Sequence, residues 1–141
     1  MITYTAEEVE MPQLNFEKVN EWIAAVAASY GNVIGKLNYC FCDDPTILDA
    51  NNKYLGHDYF TDILTFDYTS RNRLSGDMII SLDTVRSNAE GVGETYESEL
   101  LRVIIHGVLH LCGINDKGPG EREIMEAAEN KALSLWLELE A

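Results

Sequence analysis

The apolar segment of residues 100–112, LLRVIIHGVLHLC, constrains the fold more than any other part of the chain. Its apolar side chains would cover most of the circumference of a helix, which predicts a central, largely buried α-helix. The segment is shorter than the roughly 20 residues that a membrane span requires. Arg102, His106 and His110 also interrupt it. We therefore expect this helix to lie in the interior of a globular domain.

Two of the three histidines of the chain, His106 and His110, stand four residues apart in this helix. At 100° per residue they lie about 40° apart on one stripe, so both rings can bind one ion. Gly113 is suited to end the helix in a left-handed conformation, after which the chain returns Asp116 towards the pair. The alternative is a pair of hydrogen-bonded core histidines, or of half-exposed helix histidines, without a metal.

The complete pattern, HxxxHxxGxxD, has the ligand spacing of HExxHxxGxxH metallopeptidases, with Asp116 in the place of their third histidine. We predict one Zn²⁺ held by His106, His110 and Asp116. Three protein ligands leave a position for water, as catalytic zinc sites require. Gly107 stands where peptidases of the HExxH type carry their general base, which argues against peptidase chemistry.

Each histidine ring also needs a hydrogen-bond acceptor on the nitrogen that does not bind metal. Glu99 lies on the same helix about two turns upstream, which is too far along the axis. The sequence does not identify the acceptor.

Length and charge limit the remaining possibilities. The 141 residues predict a single domain over residues 1–141, and the three cysteines are expected to be free thiols. The net charge of −14 disfavours nucleic-acid binding over the whole surface, although a local site beside a metal or a basic cluster can differ in sign. Without the basic and apolar stretches of a signal peptide, the N-terminus indicates a cytoplasmic protein with no membrane association.

The rest of the chain predicts an α/β (α+β) fold, a small mixed β-sheet of about four strands with helices packed on it. The two strands joined by TSRNRLSG are expected to be antiparallel, because this link is too short for a crossover. Asp44 and Asp83 are the expected N-caps of the helices that follow them.

Predicted strands cover residues 2–9, 33–42, 63–68 and 77–81, and predicted helices cover residues 15–29, 45–55, 84–90, 95–112 and 121–138. The last helix is expected to turn inward Ile124, Ala128, Ala132, Leu135 and Trp136.

Three segments resemble the YbeY endoribonuclease family. HGVLHLCGINDK resembles its HGxLHLxGxDH signature, NNKYLGHDYFTDILTFDY is similar to its asparagine-containing segment with TDVLSF, and LSGDMIIS resembles its LGDIxIS strand. In order and spacing the resemblance covers residues 51–129. It implies a zinc-dependent, single-strand-specific endoribonuclease that acts in rRNA maturation, at the 16S 3′ end, and in ribosome quality control. The implied partners are precursor rRNA and the ribosome or its proteins.

The chain departs from the family pattern at two places. The three zinc-binding histidines of the family map onto His106, His110 and Asp116, so the third ligand is a carboxylate here. The usual arginine of the family falls on Leu55, and Arg73 is our first choice for the catalytic cation that replaces it. The other candidate cations are Lys53, His57, Arg71 and Lys117. By family position, Thr61, Asp62 and Asp77 are expected to shape the cleft.

Two other functions remain open from the sequence. The HxxxHxxGxxD spacing also fits a metallopeptidase-like hydrolase, which Gly107 opposes. An acidic zinc-binding module without catalytic activity could instead contact ribosome-associated proteins. A fourth protein ligand that closes the zinc site would favour this module.

Overall fold

Four strands form one mixed sheet in the computed structural model, which describes residues 1–57 and 61–139. The strands are β1 (Ile2–Ala6), β2 (Val33–Cys42), β3 (Ile63–Asp67) and β4 (Arg73–Ser81). Their order across the sheet is β1-β2-β4-β3, with β1, β2 and β4 parallel and β3 antiparallel to β4. The predicted fold class and the antiparallel pair are confirmed.

The described residues form five helices, in the predicted order along the chain. They are α1 (Phe16–Ser29), α2 (Asp44–Leu55), α3 (Leu82–Val92), α4 (Tyr96–Leu111) and α5 (Glu121–Leu139). None of these helices is both long and apolar enough to cross a membrane.

Helix α4 is the buried centre of the domain, as its sequence predicts. It packs against β3 and β4 on one side and against α3 and α5 on others. The hydroxyl of Tyr39 on β2 donates a hydrogen bond to the carbonyl of Ile104 over 3.0 Å. One polar stripe, Arg102, His106 and His110, stays partly exposed along the helix. Because its other sides are packed, α4 presents these three side chains in a fixed orientation.

The end of α4 turns the chain back towards the histidines. Gly113 has a φ of 95°, so it adopts the predicted left-handed conformation. Its amide donates to the carbonyl of His110 over 3.0 Å, and the amide of Ile114 donates to that of Leu109 over 3.1 Å. These bonds satisfy carbonyls that would otherwise lack partners at the end of the helix.

Strand β4 begins four residues earlier than the sequence predicts. Arg73 and Leu74 pair with Val33 and Ile34 of β2, and Leu74 is buried. Pairing with a strand 40 residues upstream therefore converts the second half of TSRNRLSG from loop to strand.

The predicted N-caps of α2 and α3 were each wrong. Asp43, not Asp44, accepts from the amide of Thr46 at the start of α2, over 3.0 Å. Ser81, not Asp83, caps α3. The Asp44 carboxylate instead accepts hydrogen bonds from the hydroxyls of Ser81 and Thr84, and so links the starts of the two helices.

The inward face of α5 also differs from the prediction. Ile124 is 61% exposed, whereas Met125 and Glu129 are buried together with Ala132 and Trp136. Ala128 and Leu135 are only partly buried beside this stripe. The prediction chose the face from apolar residues alone. It therefore placed Ile124 inward and left out the buried Glu129.

Candidate active site

All three predicted metal ligands line one cleft of about 230 Å³. His106 and His110 reach it from α4, and Asp116 reaches it from the loop that follows Gly113. The opposite wall comes from the end of α2 and from the edge strand β3. The other lining residues are Asn51, Leu55, His57, Thr61, Asp62, Ile63, Leu64, Thr65 and Lys117.

The distance between His106 and Asp116 fits two ligands of one zinc ion. His106 Nε2 lies 3.3 Å from Asp116 Oδ2. Atoms that bind zinc at about 2.0–2.2 Å in a tetrahedral arrangement lie about 3.3–3.6 Å from one another. His110 lines the same cleft one helical turn further on. No group of three His, Cys, Asp or Glu side chains within residues 1–57 and 61–139 is close enough to form a complete metal cluster.

Glu129 supplies the acceptor that the sequence did not identify. Its Oε2 lies 2.7 Å from His106 Nδ1. Because a carboxylate accepts hydrogen bonds, Nδ1 carries the proton and the lone pair of a neutral ring remains on Nε2, the atom nearest Asp116. This is the arrangement in which a carboxylate orients a metal-binding histidine.

Arg102 holds Glu129 in place from one turn upstream on α4. Its Nη1 donates to Glu129 Oε1 over 2.9 Å, and its Nη2 donates to Asn130 Oδ1 over 2.8 Å. The buried carboxylate of Glu129 is therefore paired with a guanidinium and with an imidazole. A signal for this role was present in the sequence, because Glu129 falls on the stripe of Met125, Ala132 and Trp136, where a buried charge needs partners.

Negative charges surround His106. Burial by itself lowers the pKa of His106, but the hydrogen bond and charge of Glu129, followed by the charges of Asp116 and Asp62, raise it overall. Burial raises the pKa of Asp62, which the nearby His106 partly offsets. Carboxylates clustered around an imidazole form a local potential that favours a cation.

A second cavity, of about 460 Å³, meets the cleft at His106 and Asp116. Arg102 and Glu129 lie on its wall, and so does Glu99, whose pKa burial raises. Its remaining lining residues are Val92, Glu94, Arg122, Met125 and Glu126. His106 and Asp116 therefore border both spaces, whereas Arg102 and Glu129 border only the second cavity.

Gly107 lies where α4 packs closely against the sheet. A Cβ atom added there would lie 3.0 Å from Met78 Cγ and 3.2 Å from Ile63 Cδ1. A glutamate at this position would have to enter the packed interface between α4 and the sheet. The general base of an HExxH peptidase therefore has no place in this helix.

The candidate cations separate into two groups. Lys117 is the one lysine or arginine among the described residues that line the cleft, and His57 lines it beside Leu55. Lys53, Arg71 and Arg73 are not on its wall. Arg73 lies at the start of β4, where it pairs with Val33. The cleft adjoins the opposite end of β4, where the amide of Ser81 donates to the carbonyl of Asp62. The first choice for the replacement cation, Arg73, is therefore not brought to the candidate site.

The residues expected to shape the cleft also separate. Thr61 and Asp62 line it, and the hydroxyl of Thr61 donates to the carbonyl of Ile63 over 3.3 Å. Asp77 does not line it, and instead accepts a hydrogen bond from Asn38 Nδ2 over 2.8 Å. Asp77 therefore connects β4 to β2.

Comparisons with known proteins agree with the sequence resemblance. A family model described as Endoribonuclease YbeY matches residues 1–136. A Bacteroides thetaiotaomicron protein of that name is 62% identical over 134 residues, which cover 95% of this chain and 98% of the relative. A Phocaeicola vulgatus relative is 62% identical over 135 residues, covering 96% and 98%, and one from Porphyromonas gingivalis is 50% identical over 137 residues, covering 97% and 91%.

A solved structure supports the fold independently. The solution structure of a Thermotoga maritima protein matches with a TM-score of 0.65 and 24% identity, and covers 98% of this chain and 93% of that one. At this identity the likeness concerns the fold alone. The match over residues 1–136 and the identities of 50–62% establish the family, and the chain belongs to the endoribonuclease YbeY family.

Proposed function

We propose that the protein is a zinc-dependent endoribonuclease that cleaves single-stranded RNA and acts in rRNA maturation, at the 3′ end of 16S rRNA, and in ribosome quality control. Membership of its family supports the endoribonuclease activity, a hydrolysis of RNA phosphodiester bonds. The observation that carries the zinc assignment is the position of His106, with Nε2 beside Asp116 and Nδ1 held by Glu129.

His106, His110 and Asp116 would hold the ion, and a bound zinc ion would supply Lewis-acid catalysis for the hydrolysis. Glu129 keeps the proton of His106 on Nδ1, so that Nε2 is available as a ligand. Lys117 lines the same cleft, and its ammonium would pair with a phosphate oxygen and stabilise the charge that develops there. Lys117 replaces Arg73 as the proposed catalytic cation.

The dimensions of the cleft support a preference for single strands. At about 230 Å³ it is smaller than the roughly 300–1,000 Å³ of pockets that enclose drug-sized ligands. Its size therefore suits a single nucleotide segment. Proteins reach the bases of RNA mainly where the strand is unpaired, since the deep groove of an RNA duplex admits few side chains.

The charge of the chain supports a substrate presented by a larger particle. A net charge of −14 gives no long-range attraction to RNA, whose binding normally draws on lysine and arginine contacts to phosphate. Contacts with the ribosome or its proteins would supply the missing affinity and would select the cleavage site. This agrees with the proposed role in rRNA maturation.

The decisive experiment compares zinc content and RNA cleavage in variants of the cleft. His110→Ala and Asp116→Asn are expected to lose bound zinc and to lose cleavage of a single-stranded RNA together. Asp49→Asn removes an exposed carboxylate from α2 outside the cleft, and it is expected to leave both unchanged. Cleavage that persists in zinc-free His110→Ala would refute the mechanism.

The same preparation separates the proposal from peptidase activity. Unstructured peptides and RNA are incubated with the protein, with and without a chelator. We expect hydrolysis of RNA only, and only in the absence of the chelator. Hydrolysis of peptides without hydrolysis of RNA would reverse the assignment.

A further inference from the structure

An exposed aromatic ring stands beside the cleft at the end of α2. Tyr54 is 60% exposed, and its ring centroid lies 6.0 Å from that of Phe66, with the two planes at 82°. The ammonium of Lys53 lies 5.3 Å from the centroid of the Tyr54 ring. We call Tyr54, Phe66 and Lys53 the aromatic ledge.

The aromatic ledge is continuous with the cleft. Leu64 lines the cleft and also belongs to the buried cluster against which Phe66 packs, so the aromatic ledge and the cleft meet at Leu64. Phe66 lies on β3, which is an edge strand of the sheet. A strand of RNA that left the cleft past Leu64 would reach Phe66 and the exposed ring of Tyr54 beside it.

Packing explains only part of the position of Tyr54. Phe66 is partly buried against a small cluster formed by Cys42, Ile47 and Leu64. Tyr54 contacts this cluster through Phe66 and leaves more than half of its side chain in solvent. The edge-to-face contact fixes the ring and leaves surface for a further contact.

We propose that the aromatic ledge binds one unpaired base of the substrate, next to the nucleotide in the cleft, by stacking on Tyr54. The proposal rests on the proposed function, because it assigns a base-binding subsite to the same RNA. Bases stack on exposed aromatic rings with little dependence on sequence, so Tyr54 would add affinity for an unpaired base of any identity. A base within a duplex is stacked on both faces, so the subsite also favours single strands.

The charges beside the ring favour RNA over an apolar partner. Lys53 lies beside Tyr54, and Lys117 lies on the wall of the adjoining cleft. In a chain with a net charge of −14, one ammonium group beside the exposed ring and a second on the wall of the cleft match a phosphodiester strand. The base would meet the ring while its flanking phosphates meet the lysines.

The experiment removes the ring from the protein and the base from the RNA. Tyr54→Leu keeps an apolar side chain against Phe66 and removes the aromatic face, whereas Tyr54→Phe keeps the face. Tyr30→Leu is the matched control, because Tyr30 is 40% exposed at the end of α1 and does not line the cleft. Binding is measured by fluorescence anisotropy, in the presence of a chelator, with an unstructured oligoribonucleotide and with a series that carries one abasic nucleotide at each position.

We expect Tyr54→Leu to weaken binding about 5- to 100-fold, and Tyr54→Phe and Tyr30→Leu to stay within about twofold of the wild type. One abasic position should weaken binding of the wild type by a similar factor, and Tyr54→Leu should cause no further loss with that oligonucleotide. Equal binding by Tyr54→Leu and the wild type would overturn the subsite. Losses that simply add at every abasic position would also overturn it.

Cleavage with zinc present is measured separately on the same oligonucleotide. If the wild type binds the RNA with the expected dependence on Tyr54 but does not cleave it, the proposed function fails and the subsite stands. If the wild type cleaves the RNA and Tyr54→Leu has an unchanged KM, the subsite fails and the proposed function stands.

Discussion

Helix α4 has two sides that are held in place for different reasons. On the side that meets the sheet, Gly107 lets the helix approach Met78 and Ile63 so closely that a single added carbon would meet them at 3.0 and 3.2 Å. On the other side, His106 is fixed by a hydrogen bond to Glu129 and lies 3.3 Å from Asp116. The sheet side is apolar and closely packed, while the polar stripe is partly exposed and surrounded by charges.

This difference predicts which measurement each substitution will change. Changes on the sheet side should alter the free energy of unfolding, because interiors have little free volume. Changes around the polar stripe should alter metal affinity or catalysis and leave the fold largely intact. A substitution on the sheet side that changed the zinc affinity and left the free energy of unfolding unchanged would contradict this distinction.

Gly107→Glu should have the largest effect. It forces a carboxylate into the contact between α4 and the sheet, and an unpaired charge combined with overpacking is expected to cost about 3 kcal/mol or more of unfolding free energy. Urea unfolding followed by circular dichroism measures the loss.

Gly91→Glu is the matched control for that substitution. Gly91 lies in α3 and is exposed, and a Cβ added there would meet no atom within 4 Å beyond its chain neighbours and the backbone of its own helix. We expect its unfolding free energy to stay the same or to rise slightly, since glycine is a poor helix former. A stable Gly107→Glu variant that hydrolysed peptides would show that we have misjudged the sheet side of α4.

Glu129→Gln should weaken zinc binding about 10- to 100-fold, because the neutral amide no longer accepts strongly from His106 Nδ1. Competition with a chromophoric chelator measures the affinity. Glu126→Gln is the control, since Glu126 lies on the same helix and lines the same second cavity, and it is expected to change the affinity less than twofold. If both variants lost the same zinc affinity, the loss would come from the change in net charge and not from the hydrogen bond to His106.

Lys117→Met should lower kcat/KM for RNA about tenfold, which corresponds to about 1.4 kcal/mol of transition-state stabilisation. Leu55 lines the same cleft, so Leu55→Arg in the Lys117→Met background should restore most of the activity. Lys36→Met removes the same charge from an exposed position on β2 and should have little effect. If the double variant were no more active than Lys117→Met, an arginine at position 55 could not take over the role that we assign to Lys117.

The sequence was sufficient for features that depend on local periodicity. The apolar pattern around α4 predicts its central position, and the spacing of His106 and His110 follows from helical geometry alone. The turn at Gly113 is also local, since it needs only a residue that tolerates positive φ. These features position His106, His110 and the chain reversal that leads to Asp116.

The rest of the candidate site depends on how distant elements dock. Glu129 contacts a residue 23 positions earlier in the chain, and this contact exists only because α5 packs against α4 with its 125/129/132/136 stripe inward. Arg73 joined β4 because β2 pairs with it, which removed it from the loop where the sequence had placed a catalytic cation. Neither outcome follows from periodicity, because each depends on contacts between elements far apart in the sequence.

The smallest predicted effect is a pH dependence of the metal-free protein. Although burial lowers the pKa of His106, Glu129, Asp116 and Asp62 raise it overall, so the folded state holds this proton more tightly than the unfolded state does. The resulting stabilisation is fully present below the unfolded pKa of about 6.5 and is lost as the pH rises through the higher folded pKa. Glu129→Gln removes the main cause of the rise. The difference in unfolding free energy between the wild type and this variant, measured in urea from about pH 5.5 upwards, should therefore shrink as the pH increases. A difference that stayed constant or grew with pH would show that Glu129 stabilises the fold without favouring the protonated imidazole.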